Sequence, residues 1–255
     1  MRNYLMDGHT HTIASGHAYN TFEELAETAR TRGLSHLCLT EHGPAMPGGP
    51  CSIYFANMRI LPKKVSGVRI LHGIEANILD YEGTLDVPQR AIPRMDVISA
   101  SLHDVCLKPG TKAENTSAVL AVCENPDVDF LCHLGNPTFP LDYEAVLQAA
   151  KKYDKLIEIN NASFFVRMGC AQNCVNIARR CAELEIPLIV GSDTHYRYDL
   201  GYFPYADKCL TIAGVPDELI VNLEPQNFID ILYAHGKDLE AEARISVEEV
   251  FYQVY

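Results

Sequence analysis

Short apolar runs recur about every thirty residues along the chain: NYLMD, HLCLT, VRILHGIEA, DVISASL, DFLCHL, KLIEIN and PLIVGSD. Runs this short and this continuously apolar predict strands of a parallel sheet buried on both faces. Between them, FEELAETARTRG, YEAVLQAAKKY and QNCVNIARRCAELE space their apolar residues at helical intervals. Thr21 is a predicted N-cap with Glu24 three residues on, and Gly33 is the predicted stop of the first helix. Alternating strands and helices predict an α/β protein. Seven strand-plus-helix units predict a TIM-like (β/α)7 barrel, one unit short of the usual eight, with a doubly wound open sheet as the alternative. From about Pro216 the pattern changes. QNFIDILYAHGK reads as a helix ending at Gly236, and ISVEEVFYQVY as a further helix or strand packed on the barrel. Both are assigned structure only.

Composition narrows the class. The chain has 255 residues, 47% of them hydrophobic, enough for one sizeable core. No long linker or low-complexity stretch divides it, so residues 1–255 read as a single barrel domain. No run of about 18 apolar residues predicts a membrane span. The start, MRNYLMDGHT, lacks the apolar core of a secretory leader. Nine cysteines, several inside apolar runs, fit a reduced, cytoplasmic protein. A net charge of −12 argues against a long nucleic-acid partner.

The candidate chemistry sits where the apolar runs end. The first is followed by His9 and His11, with His17 close behind; the second by His42. Glu75 lies at the end of the third, His103 after the fourth, His133 after the fifth, and Asp193 and His195 after the seventh. These residues recur with the βα period and would emerge on one rim, at the carboxyl ends of the strands, where such barrels carry their sites. His9 and His11 are two apart and so face one side of an extended chain; Asp193 and His195 repeat the spacing. A lone histidine in an α/β protein is most often structural, and His36, His72 and His235 are left as such. Seven of ten histidines at strand ends point instead to metal binding. Imidazole with carboxylate suits zinc, manganese or iron rather than magnesium or calcium. The set is too large for one ion and suits two or three.

This arrangement, HTH, a later H, then EH, E, H, H and DTH, resembles the PHP (polymerase and histidinol phosphatase) family over about residues 5–205. The resemblance implies a distorted (β/α)7 barrel and a site for three divalent metal ions, zinc first and manganese or iron as alternatives. His9, His11, Glu75 and Asp193 would hold one ion. Glu75 would bridge to a second, completed by His103 and His133. His17, His42 and His195 would hold the third. Three such ions would attract anions even in an acidic protein. They would ionise a water for attack on phosphorus.

The expected activity is hydrolysis of small phosphate monoesters, with Asp193, Glu75, His195, Arg167 and Arg197 as the catalytic candidates. The two arginines follow strands six and seven and could fork onto a phosphate. A phosphodiesterase or exonuclease of the same family is the alternative. A C–N hydrolase and a non-catalytic metal-binding module rank lower; the former lacks a strand-end lysine to carbamylate. The expected partner is a small anionic phosphorylated substrate, with a homo-oligomer possible. Asp7 is read either as an orienting carboxylate or as a strand-end staple. The segment Gly43–Phe55 is read as a non-helical loop or lid, from its glycines and prolines. Cys170, Cys174 and Cys181 share a helix face, better explained by core packing than by a zinc site.

Overall fold

The computed structural model describes residues 2–240. Its strands are β1 (Met6–Thr10), β2 (His36–His42), β3 (Lys64–Val65), β4 (Val68–Asn77), β5 (Val97–Ser101), β6 (Phe130–Leu131), β7 (Leu156–Asn160) and β8 (Leu188–Gly191). Seven of them pair in parallel in the order β1-β2-β4-β5-β6-β7-β8, and β3 hangs antiparallel on β4. The helices are α1 (Phe22–Thr31), α2 (Ser52–Asn57), α3 (Lys112–Glu124), α4 (Tyr143–Lys152), α5 (Ser163–Val166), α6 (Ala171–Leu184), α7 (Pro204–Ala213) and α8 (Pro225–Ala234). This is the nearly closed seven-stranded barrel that the apolar runs predict, not the open doubly wound sheet.

The seam between β1 and β8 is closed by other means than a continuous ladder. Near the carboxyl rim, Asp193 N donates to His9 O at 2.9 Å and His11 N to Thr194 O at 3.1 Å. Lower down, the fully buried side chain of Asn222 fills the gap. Its amide donates to Met6 O at 3.0 Å and to Val190 O at 2.7 Å, and its carbonyl accepts Val190 N at 2.6 Å. The segment after Pro216 therefore completes the barrel wall.

Inside the barrel, strand alternation sets the layers. Met6, Cys38, Leu71, Val97, Phe130, Leu156 and Ile189, one per parallel strand, form an apolar floor, closed below by Phe228, Ile229 and Leu232 of α8. Two residues further along each strand, the same inward direction reaches Gly73, Glu158 and Gly191; two further still, it reaches His42, Glu75, Asn160 and Asp193. An irregularity in the β1–β2 register between Asp7 and Thr10 re-aims β1, bringing His9 inward. Gly191 is required here, because a Cβ would collide with the Glu158 carboxylate and His9 Cβ.

The capping box on α1 forms as the sequence predicts: Glu24 accepts Thr21 N at 2.8 Å, and Thr21 Oγ1 accepts Glu24 N at 3.3 Å. One expectation is overturned. Gly43–Phe55 is not wholly non-helical, since α2 begins at Ser52, immediately after the last proline of the segment and its successor Cys51. Proline ends backbone freedom before that point but does not prevent a helix from starting beyond it. Helix α8 stops at Ala234, with Gly236 at φ 81° just beyond. The stretch ISVEEVFYQVY lies outside the described residues.

Candidate metal centre

The strand-end residues meet on one rim, as the βα period predicts. Glu75 is fully buried at its centre. Its Oε2 lies 3.3 Å from His9 Nε2, 3.5 Å from His11 Nε2 and 2.6 Å from His42 Nδ1. Its Oε1 lies 2.9 Å from His133 Nε2 and 3.4 Å from His103 Nε2. Asp193 Oδ1 faces His11 Nε2 at 3.1 Å and His9 Nε2 at 3.7 Å. His17, His42 and His195 bring their rings together on the outer side, at centroid separations of 4.6 to 5.8 Å. The cluster grades from fully buried His9 and His11 to exposed His17.

The donor chemistry and the orphaned atoms both fit metal ions. His9, His11 and Asp193 present ligand atoms within 4.8 Å of one another, as do His42, Glu75 and His103, and His11, His42 and His195. Among the described residues, His42 Nδ1, Glu75 Oε2 and His195 Nε2 are buried without a hydrogen-bond partner. His42 Nδ1 and Glu75 Oε2 are close but out of hydrogen-bonding geometry. Buried polar atoms are normally satisfied, and three orphans aimed into one cluster mark a place for cations.

The electrostatics agree. Burial, then the neighbouring His42 and His195, holds His11 well below the ordinary imidazole value. Burial and the Arg167 charge lower His133 to about 4. Neutral imidazole is the form that ligates metal. His9 is the exception: burial opposes its charge, but Glu158 and Glu75 outweigh it and raise its pKa. Burial also opposes ionisation of Glu75 and Asp193, yet the surrounding histidines, and for Asp193 also Arg167, keep both well below the carboxylate range. His133 and Asp193 occupy left-handed backbone conformations, φ 34° and 55°, a strain that recurs at functional sites.

A second set of residues holds the rings in place, and the strand-end reading missed it. Glu158 Oε1 pairs with His9 Nδ1 at 2.8 Å, while its Oε2 accepts His133 N at 2.9 Å. Ser15 Oγ lies 3.1 Å from His11 Nδ1 and donates to Glu41 at 2.6 Å. Asn77 Oδ1 lies 2.8 Å from His103 Nδ1, and its amide donates to Asp86 at 2.6 Å. The available signal was a carboxylate in the middle of a buried apolar strand, as in KLIEIN. Asp7 serves as a backbone staple, accepting Ser192 N at 2.9 Å and Gly201 N at 2.8 Å. Burial, only partly offset by those bonds, raises its pKa to about 6.

The two arginines part company. Arg167 turns its guanidinium towards Asp193 Oδ2, 3.3 Å away, and lines the open cavity of about 690 Å³ above the cluster. Arg197 is half-exposed and turns away to Glu24 at 3.6 Å and the Tyr198 ring. Of the catalytic candidates it alone is not brought to the cluster. Cys174 and Cys181 are buried on the inner face of α6, with Cys170 buried at its N-cap.

Fold and site together define a TIM-like barrel carrying a buried histidine–carboxylate cluster at its carboxyl rim. The PHP domain profile matches residues 7–165. A "Probable phosphatase" of Clostridium botulinum (strain Langeland) is 50% identical over 92% of this chain and 96% of its own length. One from Caldicellulosiruptor saccharolyticus is 44% identical over 92% of this chain and 98% of its own length. The chain belongs to the PHP family. Among solved structures, it resembles histidinol phosphate phosphatase from Lactococcus lactis, complexed with zinc, L-histidinol and phosphate. The TM-score is 0.57 at 17% identity, over 84% of this chain and 95% of that one. A putative histidinol phosphatase from Listeria monocytogenes gives a TM-score of 0.59 at 20% identity, over 80% of this chain and all of that one. At such identities the likeness speaks for the fold.

Proposed function

We propose that this protein is a metal-dependent phosphatase that hydrolyses small phosphate monoesters at a site for three divalent ions. The observation that carries the reading is the convergence of nine imidazole and carboxylate side chains in one cluster, of which His17, His42, His103, Asp193 and His195, with Arg167, line an open cavity. The names of the relatives support it. His9, His11, Glu75 and Asp193 would hold one ion. Glu75, His103 and His133 would hold the second, and His17, His42 and His195 the third. Zinc is the first choice, and manganese or iron suits the same donors. When bound, such ions supply Lewis acidity, a water acidic enough to attack near neutral pH, and positive charge for the phosphoryl oxygens.

The chain's own residues do the rest. Arg167 offers two N–H groups from the cavity wall, suited to fork onto phosphoryl oxygens. Asp193 pre-orients that guanidinium and is itself tied by Asn160, whose amide donates at 3.2 Å. Glu75 separates the two sides of the cluster with one oxygen each. Glu158, Ser15 and Asn77 hold ligand rings in their working orientations. No serine or cysteine nucleophile is needed. The test is the ratio of p-nitrophenyl phosphate to bis-p-nitrophenyl phosphate turnover by the metal-loaded protein. The monoester should be preferred; a preference for the diester would replace this reading with a phosphodiesterase.

A further inference from the structure

The cavity above the cluster has two unlike ends. Its floor is polar: His42, His103, Asp193, His195 and Arg167. Its mouth is apolar and open to water. Tyr19 is 77% exposed, Val105 61%, Phe165 50%, Val166 59% and Tyr196 44%, and all five line the same cavity. They come from the segments after β1, β5, β7 (where Phe165 and Val166 belong to α5) and β8, and converge on one opening. Large apolar side chains gathered and exposed in this way mark a binding surface rather than chance exposure.

The charges at the mouth sharpen the choice of occupant. Among the described residues, Arg167 is the only lysine or arginine lining the cavity, and Asp104 and Asp199 stand at its edge. Arg167 already faces the floor through Asp193. Among the described residues, no lysine or arginine at the mouth would neutralise a second phosphate or a carboxylate on the far end of a substrate. The two acids would repel one. A sugar or polyol could hydrogen-bond Tyr19, Tyr196, Asp104 and Asp199, but it would leave the exposed apolar surface of Val105, Phe165 and Val166 without an apolar partner.

We infer that this site selects monoesters whose leaving alcohol is apolar and aromatic, with Tyr19, Val105, Phe165, Val166 and Tyr196 as its specificity-determining residues. The inference rests on the monoesterase reading above. The phosphoryl group lies on the polar floor beside Arg167, and the alcohol's ring lies among the mouth side chains, removing their apolar surface from water. Hydrolysis breaks the phosphorus–oxygen bond, and the oxygen leaves with the alcohol, taking a proton, while water supplies the new phosphate oxygen.

The test compares 2-phenylethyl phosphate with glycerol phosphate, two alkyl esters, so that leaving-group acidity contributes little. We expect kcat/KM at least about tenfold higher for the phenylethyl ester. In Phe165→Ser and Tyr196→Ser the ratio of the two kcat/KM values should collapse towards unity. The ratio is internal to each variant, so partial loss of folded protein cancels. Equal use of both esters, or an unchanged ratio in both variants, would overturn the inference. Binding separates this failure from failure of the hydrolytic reading. Calorimetry on the metal-loaded protein should show 3-phenylpropylphosphonate binding about tenfold or more tighter than methylphosphonate. If that preference holds while no monoester is turned over, the selective mouth stands and the phosphatase reading falls.

Discussion

Glu158 shows how much of the proposed chemistry depends on a residue outside the cluster's inner face. One carboxylate reaches the His9 ring with one oxygen and the His133 backbone with the other, so it ties together groups from two strands. In Glu158→Gln the carbonyl can still contact one of them, but the negative charge that keeps His9 Nδ1–H pointing inward is gone. Metal affinity should fall by about 10- to 100-fold, read by competition with a chromogenic chelator. Unchanged affinity would remove Glu158 from the positioning set. Glu158 was hard to see in the sequence because one Glu inside LIEIN is equally consistent with an edge or a solvent-facing strand. His9, Glu75 and Asp193 were legible because they stand where apolar runs stop. Arg197 shows the converse: position after a strand locates the Cα, while the side chain turns to Glu24.

His72 is a residue of a different kind. It lies inside β4, its Nε2 is buried without a partner, and burial together with the Lys63 charge lowers its pKa to about 4. Above about pH 6.5 the ring is neutral in both folded and unfolded chains, and its contribution to stability is complete. Between pH 6.5 and 4 the unfolded chain takes up a proton that the folded protein refuses, so stability is lost as the pH falls through that window. The full effect is about 3 kcal/mol at most. In His72→Leu, denaturant unfolding of the metal-free protein should lose correspondingly less stability over that range than the parent. Parallel pH profiles would contradict the buried neutral ring.

At the scale of elements, the seven barrel strands and the amphipathic helices α1, α4 and α6 could be read from the apolar pattern, while the short β3, α3 and α7 could not. The buried face of α3 includes Asn115 and Thr116, whose side chains bond to Pro140 O and Lys112 O, so its polar pattern hides the inward side. Helix α7 buries Ala206, Cys209, Leu210 and Ala213, mostly small side chains that give a weak apolar signal. The seam residue Asn222 was illegible because its partners, Met6 and Val190, lie far off in the chain and meet it only in the closed barrel. Asn222→Leu would leave Val190 N and two carbonyls buried without their bonds. It should destabilise the protein by about 3 kcal/mol, measured by urea unfolding. A change below about 0.5 kcal/mol, the size of an ordinary surface substitution, would show that the seam does not depend on this side chain.

At the scale of the whole molecule, an acidic chain of net charge −12 gathers seven of its ten histidines at one end of a barrel with an apolar floor. That division gives the molecule one place where cations are wanted and where an anion would follow them. Three of the proposed ligands, His11, His17 and His133, are held towards the neutral form, in each case chiefly by burial. Acid must nevertheless win, because protons compete with metal for every imidazole. Dialysis at pH 4 should strip the protein of metal, and metal retained there would count against histidine ligation.

Metal-dependent monoester hydrolysis stands or falls on one titration. Chelated protein is reloaded with zinc in steps, and p-nitrophenyl phosphate turnover is followed beside bound metal measured by elemental analysis. Activity should be absent without metal and should rise until bound zinc approaches three per chain. Full activity in the chelated protein, or a fully loaded protein inert towards monoesters with zinc, manganese and iron alike, would contradict it.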